Sequence, residues 1–363
     1  MSEDKKTRVV IGMSGGVDSS AAAALLMEQG FDVVGITLKL WPQDCVSRAE
    51  DKCCGPQAVM DARSVCHKLG IPYYLIDEAD AFQKQVIGYF AEEYKAGRTP
   101  NPCVMCNEKL KFGALLERAT KLGGDFIATG HFARLEKSAD GTRTLLKKGR
   151  DLRKDQSYFL FSLRQNQLSR SMFPLGEKTK QDTREVAREC NLKTADKEES
   201  MEICFVPDNN YGKFLSSANL VQPHRGDIVN LQGKILGKHD GIEFYTIGQR
   251  KGLGVSSPKP LYVIELDAAN NRVIVSDDDS DLDRDTFTVE RCNWIPYDEP
   301  PKEIQVSTKI RYNHPGTPAT VEPLPDGRAK VKLHIPQRAI TPGQACVFYD
   351  DDLVVGGGWI TRT

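Results

Sequence analysis

The sequence predicts an α/β protein: an amino-terminal domain built on a parallel sheet, then a small mostly-β central domain and a carboxy-terminal β-barrel. Three observations predict this. Strand-like and helix-like stretches alternate as far as His131, the rhythm of a parallel sheet covered on both faces. A glycine-rich turn, Ser14-Gly15-Gly16-Val17-Asp18-Ser19, joins the first strand to the first helix. From about Arg225 the helical pattern gives way to short strands separated by turns. The 363 residues suit two or three domains, since single cores rarely grow past roughly 250 residues.

In chain order, strands are expected at Arg8–Met13, Asp32–Leu40, Pro72–Asp77 and Asp125–His131. Helices fill the gaps at Asp18–Gln29, Gln57–Leu69, Phe82–Lys95 and Cys103–Leu122. Ligands of such sheets sit beyond the carboxyl ends of the strands. Ser14, Trp41 and Gly130-His131 all fall there. Further on, Gly226–Asn230, Tyr262–Asp267 and Arg272–Ser276 read as strands, with Ala268–Asn271 as a turn and the acidic Asp277–Asp285 as a linker. Thr286–Trp294, Ile304–Tyr312, Arg328–His334 and Gln344–Tyr349, with turns such as Pro325-Asp326-Gly327, suit a small barrel or sandwich.

The glycine-rich turn is a phosphate cradle in outline. Backbone N–H groups of the turn and the open donors of the helix's first turn converge on one anion. Gly15 and Gly16 let the backbone approach the ligand, and Ser14 and Ser19 add hydroxyl donors. Neither GxxxxGK[ST] nor GxGxxG occurs, which excludes an ordinary P-loop and a dinucleotide fingerprint.

Composition is that of an ordinary globular chain, with a net charge of −1 that offers no global attraction for nucleic acid. A local basic run (Arg143, Lys147, Lys148, Arg150, Arg153 and Lys154) becomes a backbone-binding stripe only if other evidence points to a polyanion. The first residues carry acids and no apolar core of a signal peptide, and no apolar stretch reaches membrane-span length. The expectation is a cytoplasmic enzyme without a membrane partner. Ten cysteines in that setting are not expected to form a disulfide framework. Cys66, Cys190, Cys292 and Cys346 read as small buried hydrophobes, and Cys45, Cys53 and Cys54 receive no role.

Cys103 and Cys106 follow Asn101-Pro102, a good N-cap and first helical residue, so both fall in the opening turns of a helix. The buried stripe expected of that helix is Phe112, Leu115, Leu116, Ala119 and Leu122. A helix amino terminus favours thiolate, which predicts pKa values below the usual ~8.5. A zinc knuckle would need a second ligand pair at suitable spacing, and none follows. A thioredoxin-type pair would sit in a much smaller fold. Sulfur transfer is the reading that a phosphate cradle on the same chain favours. Cys204, in Ser200–Pro207, reads by itself as a buried core cysteine.

Taken together, GMSGGVDSS, AGRTPNPCVMCNEKLKF, ATGHFAR, KDQSYFL, SMEICF, GQRKGLGV, Arg311-Tyr312 and TPGQACVFY span nearly the whole chain. In these segments the sequence resembles the bacterial tRNA-specific 2-thiouridylase (MnmA/TrmU) family of the PP-loop ATP pyrophosphatase superfamily. The resemblance implies an adenine nucleotide alpha hydrolase-like amino-terminal domain at 1–212, a tRNA-binding central domain at 213–282 and a β-barrel domain at 283–363. It implies that ATP and Mg²⁺ activate the C2 oxygen of the wobble uridine by adenylation, so that sulfur replaces it. Cys204 would carry a persulfide from an upstream donor protein, and Cys106 would attack the resulting disulfide. Nothing in the sequence itself requires more than a monomer. ATP would be held by Gly12, Met13, Ser14, Gly15, Gly16, Val17, Asp18 and Ser19, with Leu38 and Gly130 flanking the adenosine.

The same resemblance assigns the target base to Asn101, Pro102 and Cys103. It assigns other tRNA contacts to His131, Lys154, Asp155, Gln156, Arg311, Tyr312 and Gln344. Many relatives carry a catalytic aspartate where this chain has Cys103. That departure opens a second route, in which Cys103, Cys106 and Cys204 ligate an iron–sulfur cluster that delivers sulfide. Two rival functions are an amidating PP-loop enzyme, which would leave the cysteines unexplained, and a non-catalytic tRNA-binding or sulfur-carrier protein. The intact loop argues against the latter.

Overall fold

The computed structural model describes residues 6–40, 55–198, 203–206 and 209–361. Trp41, Cys45, Cys53, Cys54, Ser200, Met201, Glu202 and Pro207 lie outside the described residues. The chain divides into two compact units: Met1–Val86, Cys103–Asn209 and Asp352–Val354 form one, and Ile87–Pro102, Asn210–Asp351 and Val355–Thr363 form the other.

The first unit opens with β1 (Arg8–Gly12), α1 (Val17–Glu28), β2 (Asp32–Lys39), α2 (Pro56–Leu69) and β3 (Tyr73–Asp77). From α3 (Ala79–Phe82) the chain runs through a π-helical turn into α4 (Gly88–Lys95), which belongs to the second unit. Then α5 (Pro102–Cys106) continues through a π-helical stretch, Asn107–Ala114, into α6 (Leu115–Lys121). The first unit closes with β4 (Phe126–Ala128), the hairpin β5 (Ala133–Lys137) and β6 (Thr144–Lys148), α7 (Gln165–Leu168), β7 (Ser171–Met172) and α8 (Lys180–Glu189).

Its sheet runs β3-β2-β1-β4-β7, with every neighbour parallel. Central β1 buries Val9, Val10 and Ile11 completely, as a strand covered on both faces must. Each such side chain contributes roughly 1.5–3 kcal/mol by leaving water. Over it lies α1, whose Ala21–Ala24, Leu25 and Leu26 are all buried. A helix that is apolar nearly all round belongs inside, and its small alanines allow close packing against the sheet.

Three features depart from the sequence-based expectation. The fourth strand ends at Ala128 rather than His131, because Thr129-Gly130-His131 turns away toward the start of α1. The two-residue β7 adds a fifth strand too short for any periodicity to announce. The basic run is not an open stripe: Lys147 lies in β6, paired with Glu136 at 2.7 Å and near Asp352 at 3.8 Å. Further along the run, Arg153 is nearly fully exposed.

In the second unit, Tyr94 of α4 stacks on Tyr211 of α9 (Tyr211–Ser217) at 4.5 Å. Segment 87–102 therefore packs with the later half of the chain. A four-stranded sheet, ordered β10-β11-β8-β9, comprises β8 (Gly226–Asn230), β9 (Ile235–His239), β10 (Tyr262–Asp267) and β11 (Arg272–Ser276). The barrel is β12 (Asp283–Trp294), β13 (Ile304–Lys309), β14 (Thr317–Pro323), β15 (Ala329–Arg338), β16 (Ala345–Asp350) and β17 (Leu353–Ile360). They run β12-β15-β14-β13-β16-β17, and β12 pairs with β17 to close the ring. Phe287, Val289, Val331, Leu333 and Phe348 fill its interior, alternating with outward polar residues.

The stretch Asp277–Asp285 is not a loose linker. Asp278 caps a short 3-10 turn, Leu282 is buried, and Asp279 and Asp285 pair with Arg338 and Lys332, each at 2.5 Å. Acidic residues there read as solvated only because their partners lie far away in sequence. Likewise the strand expected to reach Tyr312 stops at Lys309, leaving Arg311-Tyr312 in a turn.

Candidate active site

At the carboxyl end of β1 the chain forms the cradle that the sequence anticipates. Gly12 ends the strand, and Met13 continues its pairing by donating to the Ile36 carbonyl at 2.7 Å. The Met13 carbonyl accepts from the Thr37 hydroxyl at 2.7 Å, which fixes where the turn begins. Gly15 has φ +71°, a left-handed conformation that glycine adopts without strain. A Cβ there would also collide with the Ala58 carbonyl of α2.

Gly16 is the N-cap of α1 and, without a side chain, supplies no cap hydrogen bond. Val17 and Asp18 open the helix. The Ser14 and Ser19 hydroxyls lie 3.2 Å apart, and Ser19 Oγ also accepts from the Ser14 N–H at 3.2 Å. The result is a closed turn around a helix start that no side chain caps, the arrangement that takes a phosphate.

Three lysines that sequence reading missed pair with acids at this turn or on the neighbouring α2. Lys180, at the start of α8, reaches Asp18 Oδ1 at 2.6 Å. A reciprocal Thr179–Asp182 cap fixes that helix start. Lys193 and Lys197 both reach Asp61 of α2, at 2.9 and 2.7 Å. Burial pushes the Asp61 carboxyl up, but hydrogen bonds from Lys197, Lys193 and Gln57 outweigh it and hold it below the usual range. No spacing signals these contacts, because the partners are more than a hundred residues apart.

Gly130 approaches the same helix start: a Cβ on it would sit 2.7 Å from the Ser19 nitrogen and from the Asp18 carbonyl carbon. Only glycine allows that contact. Leu38 lies near the carboxyl end of β2, partly exposed and paired with Ile76. His131 is buried between the Phe112 and Phe173 rings, with Nδ1 2.7 Å from the Thr129 hydroxyl. Burial, reinforced by the Lys111 charge, holds its pKa well below the usual value, so the ring is neutral at physiological pH. Asp155 is buried and accepts from Gly149, Ser157 N–H and Ser157 Oγ; Gln156 accepts from the Phe132 N–H at 3.0 Å. Both brace the loop that presents Lys154.

The cysteines differ from expectation in one respect. Cys103 and Cys106 do lie in the opening helical turns, three residues apart. Yet the Cys103 thiol is raised, not lowered: burial disfavours the thiolate, and Lys111 only partly opposes it. Desolvation outweighs the helix terminus here. Gln167 donates to the Glu108 and Phe112 carbonyls at 3.1 and 2.9 Å, bracing the π-helical stretch that carries Lys111.

Cys204 is partly buried beside Phe205, whose ring meets Phe82 edge-on at 5.7 Å. Among the described residues no group of three His, Cys, Asp or Glu is placed to hold a metal. Cys103, Cys106 and Cys204 are not gathered into such a group. The structural cysteines also split: Cys66 and Cys346 are buried, whereas Cys190 and Cys292 are partly exposed.

In the second unit, Gln344 donates to the Thr99 and Pro100 carbonyls at 3.0 and 3.2 Å, directly before buried Asn101 and Pro102. Its amide shapes that approach rather than standing free. Arg311 is exposed and Tyr312 partly so.

Known proteins resemble this chain along its whole length. Residues 7–208 match the family described as tRNA methyl transferase HUP domain. Residues 213–277 match its PRC-barrel domain, and 284–360 match the aminomethyltransferase beta-barrel domain. The tRNA-specific 2-thiouridylase MnmA of Clostridium acetobutylicum is 47% identical over 97% of this chain and 99% of its own. That of Geotalea uraniireducens is 50% identical over 98% of this chain and 96% of its own. MnmA 1 of Thermoanaerobacter sp. strain X514 is 49% identical over 99% of both. Among solved structures, a 4-thiouridine synthetase–RNA complex with bound ATP covers 59% of this chain and 51% of its own, at TM-score 0.36 and 16% identity, a likeness too distant to carry an argument. With near-complete coverage at almost half identity, this chain belongs to the tRNA-specific 2-thiouridylase MnmA family.

Proposed function

We propose that this protein is an ATP-dependent tRNA sulfurtransferase that places sulfur at C2 of the wobble uridine. The observation that carries the reading is the uncapped helix start behind Ser14–Ser19, closed by Gly130 and contacted by Lys180 and Lys197, in a chain whose relatives are named 2-thiouridylases. Gly12–Ser19 would hold the β,γ-phosphates, with Leu38 and Gly130 beside the adenosine. Asp18 is the acidic group next to the cradle, and its Oδ1 already accepts from the Lys180 ammonium, which competes with a metal ion for that carboxylate. When bound, Mg²⁺ would neutralise phosphate charge.

The C2 oxygen attacks the α-phosphorus of ATP, releasing pyrophosphate and making AMP the leaving group. The terminal sulfur of a Cys204 persulfide then attacks C2, and AMP departs. A Cys106 thiolate attacks Cys204 Sγ, so the C2-bound sulfur leaves on the tRNA. A Cys106–Cys204 disulfide remains, which an external thiol must reduce. Reaching the pocket requires an unstacked base, for which Asn101, Pro102 and Cys103 are the proposed contacts.

His131, Lys154, Asp155, Gln156, Arg311, Tyr312 and Gln344 are the proposed further tRNA residues. Of these, Asp155, Gln156 and Gln344 would act through the loops they brace. Cys103 would line the pocket as a neutral thiol, since its raised pKa does not suit it to an aspartate's work as base. The proposed domains are 1–212, 213–282 and 283–363, acting as a cytoplasmic monomer supplied by a persulfide donor protein. Among the described residues no helix is long and apolar enough to cross a membrane.

The test incubates tRNA with the enzyme, ATP, Mg²⁺ and a ³⁴S-labelled persulfide, then analyses the nucleosides. Labelled 2-thiouridine that requires ATP supports the reading. Unlabelled wobble uridine with every reagent present overturns it.

A further inference from the structure

Lys197 ties the cradle to α2. Its ammonium donates to the Gly15 carbonyl at 3.0 Å and to Asp61 Oδ2 at 2.7 Å. Asp61 Oδ1 accepts from Lys193 at 2.9 Å and from Gln57 at 2.9 Å. The Asp61 residue is 7% exposed, so this is a built network rather than a passing surface pair. Ala58 of α2 also presses on Gly15 closely enough to forbid a Cβ. Gly15 is thus held by its carbonyl and by its Cα.

A trans peptide is planar, and its C=O and following N–H point in opposite directions. Fixing the Gly15 carbonyl on Lys197 therefore turns the Gly16 N–H to the opposite side of the loop. The cation also polarises the peptide and strengthens that donor. Asp61 neutralises the ammonium, so Lys197 contributes orientation more than bare charge.

We propose that Lys197, clamped by Asp61, is a positioning residue for the β,γ-pyrophosphate of ATP: it presets the Gly15–Gly16 peptide that faces the anion. The inference rests on the nucleotide reading of Ser14–Ser19. It separates from that reading because a preset peptide matters to ATP and pyrophosphate but not to AMP, which lacks both of those phosphates. Merely tying residues 193–197 to α2 would affect all three ligands alike.

The experiment measures binding of ATP, pyrophosphate and AMP by calorimetry, with Mg²⁺ and no tRNA, for the full chain and for Lys197→Met, Lys197→Arg and Asp61→Asn. The expected result is about tenfold weaker ATP and pyrophosphate binding in Lys197→Met with AMP unchanged, and recovery to within about threefold in Lys197→Arg. Asp61→Asn should show the same pattern, reduced to about threefold. Unchanged ATP affinity in Lys197→Met, or equal losses for ATP and AMP, would overturn the inference. If the unaltered chain binds no ATP, the nucleotide reading itself fails.

Discussion

The Ser14–Ser19 turn and the cysteine segments differ in how their chemistry is set. Around Ser14–Ser19 the donors are backbone groups, and strand pairing, a left-handed glycine, α2 and the Lys197–Asp61 clamp fix them in place. That site is ready before any ligand arrives. Cys103 is the contrast: a helix start should activate its thiol, yet burial holds it neutral. Anion binding can be written into a rigid backbone, whereas a sulfur nucleophile depends on its local solvation.

That contrast breaks most sharply at Cys204. Cys204→Ser should abolish thiolation while ATP binding is unchanged; residual thiolation would contradict the relay. Next comes Gly15→Ala, which forces a left-handed alanine against the Ala58 carbonyl and should weaken ATP binding about a hundredfold. Gly130→Ala should raise the KM for ATP about tenfold, because its Cβ would lie 2.7 Å from the Ser19 nitrogen and displace it. An unchanged KM would separate Gly130 from the cradle.

On the sulfur side, Cys103 should alkylate more slowly than a free cysteine at pH 7, read by peptide mass spectrometry. Burial raises its pKa above the ordinary thiol value, so its thiolate fraction is smaller at neutral pH and the rate should still be climbing at pH 9. Fast neutral-pH alkylation would erase the contrast. The smallest expected effect is Gln344→Ala, which removes the amide bonded to the Thr99 and Pro100 carbonyls and should cost about 1 kcal/mol in denaturant unfolding.

Stability should also follow pH through Asp61. Its folded pKa lies below the ordinary 3.8, so its contribution is complete above that value and fades as pH falls through the lower folded pKa. Asp61→Asn should flatten the acid limb of the unfolding curve.

Much of the architecture was legible because it rests on local signals. The alternation through Asp32–Lys39 and Tyr73–Asp77 pointed to a parallel sheet, and Gly15 in the turn after the first strand marked close backbone approach. What escaped was non-local. Lys180, Lys193 and Lys197 read as ordinary surface charges until α8 and the chain after it are folded against Asp18 and Asp61. The acidic stretch after Ser276 looked like a linker because Lys332 and Arg338 lie some fifty residues on. The Cys103 shift escaped because helix position is written in sequence and burial is not.

The most direct measurement follows the oxygen that sulfur displaces. A tRNA carrying ¹⁸O at C2 of its wobble uridine is incubated with enzyme, ATP, Mg²⁺ and a persulfide source. If ATP activates that oxygen, one ¹⁸O should appear in the phosphate of AMP for each sulfur gained by the tRNA. AMP free of ¹⁸O alongside thiolated tRNA would contradict activation of that oxygen by ATP.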